Sequence, residues 1–203
     1  IILLTNFIIV PGITYGSQLA LGAIGVTLIY GVLRFANFAY GDLMAFGTMI
    51  VILVTWFLQS KGITFGLLPT ALLALPVGIL LTIAVSLFFD KTVFEYYRNK
   101  KSDPVTFIVV SLGIMFVLNA VVRIIIGPND INFMDGHKFI MKAREFKQMT
   151  GLNEGLALKS TQVITLITTI ITCSILFYFL NKTKTGKSMR AYSNNEDLAL
   201  LSG

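Results

Sequence analysis

The sequence predicts an all-α fold, a polytopic bundle of transmembrane helices, and three observations carry that prediction. Hydrophobic residues make up 55% of the chain and charged residues only 13%, about half the charge of an average soluble protein. Mean hydropathy is +0.80, too apolar for the chain to cover itself with polar surface. The apolar runs approach or exceed the roughly 20 residues that a membrane-crossing helix needs, and they lack the alternation of a barrel strand.

The elements follow in order. Residues 1–10 form a short apolar segment, read as the end of a helix stopped at Pro11 and Gly12. Five full segments come next, at 16–33, 43–58, 65–89, 105–126 and 161–180. Pro69 falls near the start of its segment, whereas Pro76 lies further in and is expected to kink it by removing a backbone donor. Small residues recur every fourth position at Gly12, Gly16 and Ala20, and again at Ala23, Thr27 and Gly31. Such stripes predict close helix packing in lipid. The chain opens on Ile1 and closes on Gly203, and it is expected to be a fragment.

The polar segments orient the spans. Residues 90–104 hold Lys91, Arg98, Lys100 and Lys101, and the segment from Asn181 onward holds Lys182, Lys184, Lys187 and Arg190. Both clusters press against span ends, where basic residues mark the cytoplasmic side. The longer loop, 127–160, dilutes five basic residues with Asp130, Asp135, Glu145 and Glu154, and is expected outside. Trp56 then sits near the outer end of its span, as a membrane-interface residue does. The net charge of +6 therefore reads as membrane orientation, and no nucleic-acid partner is expected.

Little in the chain suits catalysis. Cys173 is the only cysteine and lies in an apolar run; His137 is the only histidine and lies in the outer loop. Neither has neighbours at metal-ligand spacing, and no GxxxxGK[ST] phosphate loop is present. No enzyme activity, metal or cofactor is expected. Arg34, Asp42 and Arg123 fall at or near span ends, leaving the spans essentially free of charge and arguing against a carboxylate relay.

Two polar stretches remain. "RFANFAYGD", residues 34–42, interrupts two apolar runs; Asn37 and Gly41 are poor residues for a helix interior. The break forms either a tight turn or an unwound stretch facing a cavity, since bare backbone at membrane depth survives only where protein or water satisfies it. The second stretch begins at Gly186, which is expected to break the preceding helix. A short helix over 187–201 follows, with Met189, Leu198 and Leu201 among its apolar positions, and it is either solvated or docked in a partner's groove.

These stretches resemble the permease subunits of bacterial ABC importers for branched-chain amino acids. The resemblance runs from "GITYGSQLALGAIGVTLIYGVLRFANFAYGDLMAFGTMIV" through "SLGIMFVLNAVV" to the loop at 186–203. Tyr40 stands where the family usually shows histidine, and Lys187 and Ser188 stand where it shows Arg-Ala. The resemblance implies one permease domain over 1–203, with a cytoplasmic coupling loop at 181–203, in a multi-pass protein of the bacterial inner membrane. Gly186, Lys187, Arg190, Ala191, Ala199 and Gly203 would couple to cytoplasmic ATPase subunits. Asn37, Phe38, Gly41 and Asp42 would line the translocation pathway. The implied partners are a second permease subunit, the ATPases and a periplasmic substrate-binding protein, all assembled at the lipid bilayer. Alternatives are a permease for urea, amides or a sugar, or an ATP-independent secondary carrier.

Overall fold

A computed structural model describes residues 4–64, 68–129, 133, 135, 139–141, 147, 148 and 158–194. Five of its helices are long and apolar enough to cross a membrane. They are α1 (Thr5–Leu33), α2 (Tyr40–Ser60), α3 (Ala71–Asn99), α4 (Pro104–Ile126) and α5 (Ser160–Lys182). A short sixth helix, α6 (Lys184–Asn194), follows. Two short strands, β1 (Phe139–Met141) and β2 (Leu158–Lys159), pair antiparallel. The chain forms two compact units, one of residues 1–33 and 138–203, the other of residues 34–137.

The first unit contains α1, α5 and α6. Pro11 and Gly12 do not end a helix: α1 runs from Thr5 through both, with a π-helical turn at Thr5–Ile9. A proline removes one N–H and its ring crowds the carbonyl four residues back. The wider turn just before Pro11 accommodates both effects. The short segment at 1–10 and the run at 16–33 are thus one helix rather than two. Of the small-residue stripes, Gly12 and Gly16 have open space where a Cβ would sit, whereas Gly31 lies against Ser193 of α6. The C-terminal ends of α1 and α5 therefore share one end of this unit.

The second unit contains α2, α3 and α4. The polar segment at 90–104 is not a loop throughout. The helix continues past Phe89 through a π-helical turn at Asp90–Phe94 and a last α-helical turn at Glu95–Asn99. Asp90 and Arg98 brace this extension as a two-pronged ion pair, at 2.7 and 2.8 Å, the geometry in which a guanidinium is most specific. Helices α2 and α3 touch at two glycines. A Cβ on Gly47 would stand 2.7 Å from Thr82 Oγ1, and one on Gly78 would overlap the Val51 side chain. Between these helices opens an apolar cleft of about 440 Å³.

At one end of the unit, Phe35, Phe94 and Phe107 pack with ring centroids 5.1 to 6.4 Å apart. They belong to a cluster with Ala39, Ile114 and Leu118. At the other end Asp135 accepts hydrogen bonds from Ala71 N–H at 2.6 Å and from Gln59 Nε2 at 3.0 Å. A carboxylate there satisfies an orphan donor at the start of α3 and complements the helix dipole.

Candidate functional site

The polar stretch at 34–42 is where the chain departs furthest from spanning helix. Helix α1 stops at Leu33 because Arg34 adopts a left-handed backbone, φ 60°, a common way for a helix to end and a costly one for a side chain with a Cβ. Residues 34–39 are non-helical, and α2 begins at Tyr40. Asn37 sets up that start. Its Oδ1 accepts the Ala39 N–H at 3.1 Å, and its carbonyl accepts the Tyr40 N–H at 3.3 Å, the local turn for which asparagine is suited. Gly41 is not the point of interruption. It lies within the first turn of α2, exposed, with open space where a Cβ would sit.

The depth of this stretch follows from its contacts with α4. That helix is about 34 Å long and spans the unit. Phe35 stacks on Phe107, close to the start of α4. Phe38 N–H donates to Ser111 Oγ at 3.1 Å, and that hydroxyl donates to Ile108 O at 2.8 Å. Ser111 lies about 10 Å along α4 and is fully buried. Asp42 Oδ1 accepts a hydrogen bond from Asn119 Nδ2 at 2.9 Å. Asn119 lies about 22 Å along the helix, and helical side chains lean back toward the N-terminus, which brings its amide near mid-helix. Residues 35–42 thus climb alongside α4 from its start to its middle.

The interruption is an unwound stretch that runs beside the first half of α4, with the Phe38 N–H satisfied by Ser111. Asp42 lies at a helix end, as expected, in the first turn of α2, and Arg123 lies in the last turn of α4; the start of α2 stands beside the interior of α4. Arg123 extends the polar line, donating from Nε to Asn119 Oδ1 at 2.8 Å. Asn119 and Arg123 were not picked out as site residues, because nothing in the sequence aligns position 42 with position 119. Phe38 keeps its ring half exposed.

The second set of residues lies on α6. Gly186 does not break the preceding helix. Helix α5 ends at Thr183, whose backbone is extended. Thr183 Oγ1 then accepts the Gly186 N–H at 3.0 Å, capping α6 as threonine does at helix starts. Gly186 is buried against the end of α5. A Cβ there would overlap the Phe179 carbonyl oxygen and stand 2.6 Å from Leu180 Cα. Gly186, Met189 and Ser193 face inward at helical spacing, leaving Lys187, Ser188, Arg190 and Ala191 exposed. Arg190 also donates to Asn181 Oδ1 at 2.9 Å. The helix covers Lys184–Asn194 where 187–201 was expected; Ala199, Gly203, Leu198 and Leu201 lie outside the described residues, as does His137.

Comparison with known proteins bears on the chain as a whole. The family described as "Branched-chain amino acid transport system / permease component" matches residues 8–203. The high-affinity branched-chain amino acid transport system permease protein LivH of Escherichia coli (strain K12) is 25% identical over 196 residues, covering 95% of this chain and 60% of the relative. LivH of Salmonella typhimurium is 24% identical over the same coverage. The similarly described BraD of Pseudomonas aeruginosa is 23% identical over 204 residues, 96% of this chain and 61% of the relative. The chain thus spans about 60% of the length of these relatives. No solved structure matches it.

Proposed function

We propose that this chain, which belongs to the family of branched-chain amino acid transport permease components, lines the pathway of an ATP-driven importer in a bacterial inner membrane. Its cargo on this reading is a branched-chain amino acid. The observation that carries the proposal is the family match across residues 8–203, together with relatives whose printed function is high-affinity branched-chain amino acid transport. The chain is a multi-pass membrane protein by its five apolar helices.

The interruption supports a pathway role. A zwitterion with an apolar side chain cannot cross hydrocarbon unassisted, because charge is expensive there. It needs polar groups at membrane depth that are held ready and not sealed in the core. Asp42 meets that description, half buried beside α4, and Phe38 and Gly41 lie exposed on the same stretch, where they would line the pathway. Asn37 contributes by holding the turn, since its amide oxygen is engaged by Ala39.

Helix α6 supports coupling to an ATPase. It is anchored by the close approach of Gly186 to α5 and presents Lys187, Arg190 and Ala191 outward. Ala199 and Gly203 follow α6 in sequence and are assigned the same coupling role on the family resemblance. The basic residues beside it, Lys182 and Lys184, and those at the end of α3, Arg98, Lys100 and Lys101, favour the cytoplasm at these ends. ATP is then hydrolysed by cytoplasmic partner subunits, a second permease subunit completes the pathway, and a periplasmic protein delivers the amino acid on the side of the loop at 127–160.

Copurification and uptake test this together. The full-length protein, tagged and extracted in mild detergent, is expected to bring down an ATPase, and replacement of Gly186 by Leu is expected to lose it. Liposomes holding the assembled complex are expected to take up leucine only with ATP inside the compartment facing α6. Uptake without any ATPase would instead make the chain a secondary carrier, and uptake of urea, an amide or a sugar but not leucine would change the solute.

A further inference from the structure

The line formed by Asp42, Asn119 and Arg123 has a definite polarity. A carboxylate stands at one end and a guanidinium at the other. Between them the Asn119 amide turns its NH₂ to Asp42 at 2.9 Å and its oxygen to Arg123 Nε at 2.8 Å. The amide therefore presents a donor to the acid and an acceptor to the base. An α-amino acid presents the same pattern on a similar scale, with an ammonium that donates and a carboxylate that accepts. Among the described residues, no other partner engages Asp42 Oδ2 or the terminal nitrogens of Arg123. Asp42 and Asn119 are half buried and Arg123 is exposed, so none of the three is sealed in the core of this unit. Asp42 stands in the first turn of α2 and Arg123 in the last turn of α4, and a charge close to an apolar span is less costly when it has a partner.

We infer that Asp42 and Arg123 form a transient acceptance site for the zwitterionic head of an amino acid, with Asn119 as the positioning residue that sets their spacing. The incoming ammonium takes the place of the Asn119 NH₂ on Asp42. The carboxylate takes the place of the amide oxygen on Arg123, whose planar fork suits it. Once the solute leaves, the Asn119 amide closes the line again, so neither charge is stranded in the empty protein. No bond is made or broken. Such a site binds weakly, because the solute competes with an intramolecular partner that is always present, and weak binding is what passage requires. The inference rests on the import reading for its substrate class.

Ligand series separate this role from a structural one. The full-length protein in its assembled complex, without the binding protein, is placed in nanodiscs. Binding of leucine, leucine amide (no carboxylate) and 4-methylpentanoate (no ammonium) is measured by saturation-transfer NMR. In the unaltered protein leucine is expected to bind best. Arg123→Gln is expected to weaken leucine by about tenfold or more, the scale of one lost charge-assisted hydrogen bond, with leucine amide unchanged. Asp42→Asn is expected to weaken leucine similarly and leave 4-methylpentanoate unchanged. Arg123→Lys, which keeps the charge at an exposed position, is expected to fall between.

Equal loss of all three ligands would reduce these residues to a structural role and overturn the inference. So would unchanged leucine binding in both variants, or no leucine binding by the unaltered protein. The leucine-uptake assay on the complete transporter decides the import reading separately. Uptake that proceeds normally with both variants removes this site and leaves the import reading standing.

Discussion

Single atoms decide how tightly these helices approach. The hydrogen of Gly186 occupies space that a methyl group would share with the Phe179 carbonyl and Leu180. Gly78 is similarly placed against Val51. Gly186→Ala and Gly78→Ala are each expected to cost about 1–3 kcal/mol, the usual penalty for overpacking, read as a lower melting temperature in detergent. Gly12→Ala and Gly16→Ala, which meet open space, are expected to leave it unchanged. The two effects should separate by location, with Gly186→Ala also weakening ATPase capture and Gly78→Ala not. Spacing alone misjudged these positions. The regular stripe at Gly12 and Gly16 meets open space among the described residues, whereas Gly47 and Gly78 carry no periodic signal because their partners lie on another helix.

At the scale of elements, the apolar runs were legible because lipid leaves the backbone few choices. Each of the five long runs is a helix of spanning length. Their ends were less legible. Helix α3 continues ten residues beyond its apolar run because Asp90 and Arg98 pair along its flank, and a polar composition does not by itself stop a helix. Helix α1 passes through Pro11 because a π-helical turn takes up the strain. At 34–42 the composition marked the interruption correctly but not its depth, which is fixed by Ser111 and Asn119 some 70 residues away in sequence. Ser111→Ala tests that placement. It strands the Phe38 N–H beside α4, and an unsatisfied buried donor costs about 1–3 kcal/mol. The variant is expected to be less stable by that amount and to lose amide-exchange protection at Phe38 before any protection is lost within α2.

The whole molecule carries an unwound polar stretch beside α4 and a capped, outward-facing helix after α5, in a chain of the permease family. In the proposed pathway residues 38–42 meet water at membrane depth, which a connecting turn buried in lipid or protein would not do. The chain's single cysteine, Cys173, is half buried and can be replaced by serine, together with any cysteine elsewhere in the full-length protein, giving a background for placing thiols one at a time. The most direct measurement is the labelling rate of Phe38→Cys and Gly41→Cys by a membrane-impermeant thiol reagent in the full-length protein. Leu80→Cys and Val117→Cys, on exposed apolar faces of α3 and α4, serve as the lipid-facing references. Because only a hydrated thiolate reacts, positions 38 and 41 are expected to label at least about tenfold faster than 80 and 117, and more slowly when leucine is present. Labelling at 38 and 41 as slow as at the lipid-facing positions would contradict the account.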